Sequence, residues 1–585
     1  MSSFFNPYQF IPVTGKINGD KDSHRVDYAD IGAGEDKPCP TVRHDLWHKN
    51  GLSGRIVCSL HLDTPTLVGA GQTPDQRGGA SLVEQYHWRG QPAIPASSLK
   101  GMTASIAEAL SQSALRILGN GPLSLRIPDA TSRVGTRREP LYLTEHDYFR
   151  HIDPELVPWS KDREALTPAE VLFGAVEVNE KGANPDDGRN LAGRLRFHDA
   201  LPAQLPVRCL PEVMLRILDS PKLPCPSLYF HLSDNRGGWI SKDDLYRKQS
   251  NTDILPNGRK FFLHHPQAQI DAEAWRTADT KARPKNKLRG QPMAAGQTFH
   301  FHVDFDNLTR AELTLLECAL APGIGFRHRL GLGKPLGLGS VTVEVDGVFL
   351  IDRARRYGLD ALEAPERRYH AFWRPEHTPR LAASTGHPST RSDGRYAAEW
   401  RALQGQEPPL KPDDQKDPTL IDRDTLAILL TLGDPAYLAE GAEVHTPLTE
   451  AQRHANAYEH ESFRWFVEND KTGHQALRPV EPGQPLPPLF ANPNDARGHV
   501  FVPEIAAVAP PRVAGDVDRW LETHVPSEGQ YRTRPTAETV VKIDDHELRA
   551  RVFMHICRHC ASKGIYLDNS ADRFYRKHGL VPSYE

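Results

Sequence analysis

Two stretches of the chain combine residue types that suit the binding of an anion. The first, GQPAIPASSLKG at 90–101, is a proline-stiffened strand end that delivers Ser97, Ser98, Lys100 and Gly101 to the start of a helix. Unpaired backbone N–H groups, the helix dipole and a lysine together make a phosphate site. The same residues also read as an ordinary helix start, with Ser97 or Ser98 as the cap and Lys100 solvated in the first turn. The second stretch, GIGFRHRLGLGKPLGLGS at 323–340, carries glycines at 323, 325, 331, 333, 337 and 339 and the donors Arg327, His328, Arg329 and Lys334. Main-chain N–H groups of Gly331, Gly333 and Gly337 would let such a loop cradle a phosphodiester backbone. A loop of this composition also serves as a plain connection. It is not a P-loop, because Pro335 follows Lys334 where Ser or Thr is needed, and it lacks the third glycine of a dinucleotide fingerprint.

Other constellations point elsewhere. His555, Cys557, His559 and Cys560 offer zinc ligand types at i, i+3 spacing, yet no second pair follows. A buried pair of small thiols is the competing reading. Tyr86, His87 and Trp88 are able to stack a base or to close a hairpin. Between 281 and 334 nine Lys or Arg face four acids, although the whole chain is at net charge -4. That window is basic enough for nucleic acid, and equally a solvated face.

The elements that must position these groups follow from periodicity. Ile56, Cys58, Leu60 and Leu62 alternate as in a half-buried strand, and Leu99, Met102, Ile106, Leu110, Ala114 and Ile117 trace a helix over 97–118. Strands are predicted at 191–198, 298–305 and 340–349, and a helix at 308–320. Strand, helix, two strands, helix, glycine loop and strand give an α+β, ferredoxin-like (RRM-like) core enlarged by insertions. The chain of 585 residues then divides into an N-terminal arm at 1–50, this core at 51–355 with an insertion near 205–295, a linker or surface excursion at 356–420, and a partly helical extension at 421–585. Seven scattered cysteines argue against a disulfide framework. The N-terminus lacks the pattern of a secretory signal, and no apolar run is long enough for a membrane span. The expectation is a cytoplasmic protein with no membrane partner.

Five blocks in one order resemble the RAMP superfamily of CRISPR systems: Thr64 to Gly69, Ile94 to Gly101, Leu172-Phe173-Gly174 with Gly193 to Ala200, Phe301 to Leu313, and Gly331 to Val341. The resemblance implies a backbone-type subunit of a type III-like effector ribonucleoprotein for antiviral defence, with guide RNA, target RNA and other subunits of the complex as partners. It also implies that the helix start and the glycine loop hold the guide. Many such subunits cut target RNA with an aspartate that follows a paired glycine. Here Gly78-Gly79-Ala80 leads to Ser81, and Asp75 is the acid left in the same loop. As an endoribonuclease the chain would use Asp75 with a divalent metal. A third reading makes 365–585 a platform for other proteins.

Overall fold

The computed structural model describes residues 3–373 and 420–577, apart from gaps of which those of five or more residues are 32–41, 129–135, 178–187, 217–224, 234–238, 248–252, 278–286, 359–368, 448–461, 497–520, 544–548 and 561–566. Its centre is one antiparallel sheet backed by two helices. The elements are β1 (Leu52–Leu62), α1 (Ala96–Leu110), β2 (Leu195–Phe197), β3 (Thr298–Leu308), α2 (Arg310–Leu320) and β4 (Ser340–Ile351). The sheet runs β2–β3–β1–β4 with every neighbour antiparallel. This is the βαββαβ order of a ferredoxin-like fold, as the sequence pattern predicts.

Alternation decides which face is apolar. Phe299, Phe301, Val303 and Phe305 of β3 are buried, as are Ile56, Cys58, Leu60 and Leu62 of β1, and they form one core with Leu99, Met102 and Ile106 of α1 and Leu313 and Leu316 of α2. A bulge between Val345 and Gly347 lets Val348 and Leu350 of β4 rejoin that face beyond it. A capping box of Thr309 and Glu312 starts α2. Buried Arg194, just before β2, is paired with Glu312 and donates to the Asn307 carbonyl at 2.9 Å. That ties the short second strand to the start of the second helix.

Two predicted boundaries shift. The first helix stops at Leu110 instead of running to 118, because Ser111 turns its hydroxyl back to the Ala107 carbonyl and Gln112 enters the left-handed region at φ 43°. Ile117, expected on the apolar face, is 96% exposed. The strand expected at 191–198 divides, with Asn190–Ala192 pairing with Gly174–Val176. Gly193 sits at the break, where a Cβ would meet the Phe173 carbonyl oxygen at 2.3 Å.

The peripheral parts are more integrated than the predicted division suggests. In the N-terminal arm, Tyr8–Ile11 pairs with Arg259–Phe262, and Ile11 enters the main core. The insertion adds Val213–Met214 and Leu288–Gly290 to a second sheet with Ser81–Gln85 and Gly69–Thr73. Within the expected linker, β5 (Tyr369–Trp373) pairs with β4, and 374–419 lies outside the described residues. Helix α3 (Arg423–Gly433) puts Ile428, Leu429 and Leu432 into the main core. The compact units are 1–503 and 504–585, so the extension predicted from 421 is shared between them. The second unit has its own core, which includes Leu521, Val540, Phe553, Ile556 and Tyr575. Among the described residues no helix is long and apolar enough to cross a membrane.

Candidate nucleic-acid interface

The start of α1 is built by proline and by a carboxylate, not by its serines. Pro95 is the N-cap residue, and no side chain on that residue caps the helix. The cap comes from across the sheet: the Ala96 N–H donates to Asp199 Oδ1 at 2.8 Å, and the Tyr86 hydroxyl donates to Oδ2 at 2.7 Å. The expectation of a Ser97 or Ser98 cap is thereby corrected, because Asp199 already fills that role. Ser97 is exposed, Ser98 and Lys100 are half-buried, and Gly101 is exposed on the next turn. Burial, together with the charge of Arg116, lowers the Lys100 pKa from its usual value.

The glycine loop follows from backbone conformation. Gly331, Gly333, Gly337 and Gly339 all have φ between 73° and 93°, a region closed to most L-residues. Gly331 packs so closely that a Cβ would stand 2.3 Å from the Leu67 carbonyl oxygen. Lys334–Leu336 forms a single 3₁₀ turn between the left-handed Gly333 and Gly337, and Lys334 is half-buried on it. Two of the predicted donors face inward. His328 is buried, with Nε2 2.8 Å from the Leu320 carbonyl oxygen, and burial pushes its pKa down to about 4. Arg329 is buried and donates to the carbonyls of Leu338, Leu263 and Lys334 and to the Ser340 hydroxyl. Both hold the loop in shape, so their reading as ligand donors is corrected. Arg327 stays at the surface, 3.8 Å from Asp63, while its backbone N–H reaches the Gly433 carbonyl.

Backbone hydrogen bonds join the two stretches. The Leu332 N–H donates to the Leu67 carbonyl, the Tyr86 N–H to that of Val68, the Ala93 N–H to that of Tyr86, and the Ile94 N–H to that of Ala200. A continuous lattice therefore runs from the glycine loop to the residues just before α1. Residues 59–342, which contain both stretches, match the model of the RAMP superfamily. Over that segment the chain is a RAMP superfamily protein. Among solved structures, the crystal structure of Thermofilum pendens Csc2 is 14% identical over 51% of this chain and 66% of its own, just under two thirds, with a TM-score of 0.22. A chain of a Type IV-B CRISPR complex is 15% identical over 52% of this chain and 93% of its own, also at 0.22. No curated protein matches.

Other predicted groups in and beyond the RAMP core find varied settings. Asp75 lies between the strands Gly69–Thr73 and Ser81–Gln85, and a Cβ on Gly79 would come within 2.2 Å of its Oδ2. Arg77 and Gly78 are outside the described residues. His87–Trp88 pairs with Gln91–Pro92 across a turn with Arg89 and Gly90 at positive φ, so these aromatics close a hairpin. The basic window is less open than its count implies. Lys281, Arg283 and Lys285 fall outside the described residues, Lys287 is fully buried, and Arg289 is bound to Glu212 and to the Ala80 carbonyl. In the second unit Cys557 and Cys560 are buried among apolar side chains, which pushes Cys557 up to about 12 and raises Cys560.

Periodicity also builds a polar face that motif reading passes over. His302 and Asp304 are two apart on β3 and so project from the side opposite Phe301 and Val303. His198 follows β2, its N–H donating to the His302 carbonyl at 3.1 Å, which sets the two imidazoles side by side. Their rings stack with centroids 4.0 Å apart, and His198 Nε2 is 3.1 Å from Asp304 Oδ2. Arg55, directly across on β1, donates to both oxygens of Asp304 at 2.5 and 2.9 Å. Burial, aided by the charges of Arg55 and His198, lowers the His302 pKa to about 3. Burial opposes ionisation of Asp304, but the hydrogen bonds and charge of Arg55 prevail and hold it below the usual value. The alternation His300-x-His302-x-Asp304 was the available signal in the sequence.

Proposed function

We propose that this chain is an RNA-binding backbone subunit of a CRISPR effector ribonucleoprotein, of type III-like organisation, acting in the cytoplasm in antiviral defence. The supporting observation is the lattice that carries the glycine loop and the start of α1 inside the segment matching the RAMP model. In this reading Ser97, Ser98, Lys100, Gly101, Arg327 and Lys334, with the backbone of Gly331, Gly333 and Gly337, meet the phosphates of a guide RNA. His328 and Arg329 fix the loop from beneath. Target RNA and other subunits of the complex are the further partners. Asp199 bears on the chemistry, since its carboxylate occupies the first N–H of α1 and repels an anion there. Phosphate contacts then fall to Lys100 and the following turn, not to the helix tip.

The test is binding of single-stranded RNA by the full chain. A Lys100→Ala/Lys334→Ala variant is expected to weaken affinity about tenfold and to reduce the salt slope by roughly one to two. Equal affinity and slope, with no RNA carried through purification from cells expressing the CRISPR array, overturns the reading. Endoribonuclease activity through Asp75 and a divalent metal has narrower support, because Asp75 occupies a hairpin connection with Gly79 against its carboxylate. Asp75→Ala with guide binding kept and target cleavage lost would establish it.

A further inference from the structure

We infer that His198, His302 and Asp304 form a divalent metal site of the zinc class on the polar face of the sheet. Each contributes one ligand atom, and these atoms lie within 4.8 Å of one another. Donors bonded to zinc at about 2.0–2.2 Å stand roughly 3.3 Å apart in a tetrahedron, so the three must close by at most about 1.5 Å. The His198–Asp304 edge, at 3.1 Å, already has that length. Backbone pairing, not side-chain chance, sets the arrangement: period two puts His302 and Asp304 on one face, and the antiparallel β2–β3 register carries His198 to their side.

The chemistry of the donor set points the same way. Asp304 already has a full counter-charge in Arg55, so no imidazolium is needed to neutralise it. Two imidazoles stacked at 4.0 Å repel if both are protonated, and as neutral rings each offers one ring-nitrogen lone pair, the two rings side by side next to a carboxylate. Arg55 then fixes the carboxylate through its two hydrogen bonds without consuming all the lone pairs. Two imidazoles and one carboxylate suit zinc or a neighbouring first-row ion, and three protein ligands leave a coordination position for solvent or substrate. The side chains of His198 and Asp304 are 37% and 31% exposed, which leaves that position reachable.

The full chain is stripped with chelator and titrated with Zn²⁺, then with Co²⁺ as a spectroscopic probe. One equivalent is expected, with visible cobalt bands and no thiolate-to-cobalt charge transfer. His198→Ala and Asp304→Asn are each expected to weaken binding at least about tenfold while the far-ultraviolet circular dichroism is kept. A Cys557→Ser/Cys560→Ser variant is expected to bind as the parent does. His198 is chosen over His302 because its partial exposure makes substitution tolerable to the fold. Absence of stoichiometric binding, binding unchanged in His198→Ala, or binding lost only with the two cysteines would each overturn the site. The inference uses no part of the RNA-binding reading, and failure of either leaves the other standing.

Discussion

At the residue scale, the polar face of the sheet carries a second group with consequences for stability. Asp346 sits at the β4 bulge, almost fully buried, and accepts from the Ser59 hydroxyl at 2.7 Å. Burial raises its carboxyl to about 7 from an ordinary 3.8. Between about pH 4 and 7 the folded chain keeps this proton while the unfolded chain has lost it. Unfolding then releases a proton, so stability falls as pH rises through that window and levels off above it. The difference between 3.8 and about 7 corresponds to on the order of 4 kcal/mol. Asp346→Asn keeps a partner for Ser59 and removes the titration. Its Tm relative to the parent is expected to rise from pH 5 to pH 8, whereas parallel profiles would show that Asp346 does not titrate there. Asp199 supports a second expectation. Asp199→Ala leaves the Ala96 N–H and the Tyr86 hydroxyl without their acceptor, and is expected to cost about 1–2 kcal/mol in denaturant unfolding. In the sequence His198 and Asp199 stand out only as part of the block Gly193 to Ala200, because a cap and a cluster made between segments distant in the chain leave no local spacing to read.

At the element scale, the ferredoxin-like order was legible because every core strand and helix carries its own period. Phe299, Phe301, Val303 and Phe305 announce β3 unaided, and the Thr309–Glu312 box marks the start of α2. The end of α1 was not legible, since Ala114 and Ile117 continue the helical spacing past the Ser111–Gln112 turn that ends it. The glycine loop was recognised by composition, but which of its side chains point inward depends on the carbonyls of Leu263 and Leu320, both outside the motif. Gly339 tests the loop as an element. Its φ is +73°, and a Cβ would stand 1.8 Å from the Leu330 carbonyl oxygen. Gly339→Ala is expected to destabilise the chain by several kcal/mol, on the order of the strain and overpacking terms combined, and to lower RNA affinity. A melting curve matching the parent's would mean that the loop adapts. Ser98→Ala, in contrast, is expected to leave stability within about 0.5 kcal/mol, because Ser98 does not cap the helix.

At the scale of the whole molecule, the two units carry separate cores. Among the described residues, the buried members of the second unit's core lie between Leu521 and Tyr575, while α3 belongs to the main one. A chain ending at Pro503 is therefore expected to keep the parent's main thermal transition, whereas one ending near residue 420 uncovers Phe326, which lies against Gly433 of α3, and is expected to melt earlier by calorimetry. Sequence reading placed that boundary at 421 because α3 follows a Pro-, Arg- and Asp-rich stretch, and composition reports a linker without saying which side of it the next helix joins. The central sheet has one more consequence, in time. Arg55 of β1 meets Asp304 of β3 across 249 positions of chain. At ribosomal rates of about 5–20 residues per second, β1 waits on the order of 10–50 s for its neighbour to be made. For that interval a strand rich in Ile, Val and Leu has both edges unpaired on the nascent chain, so biogenesis of this protein depends on holding β1 out of other pairings until β3 emerges.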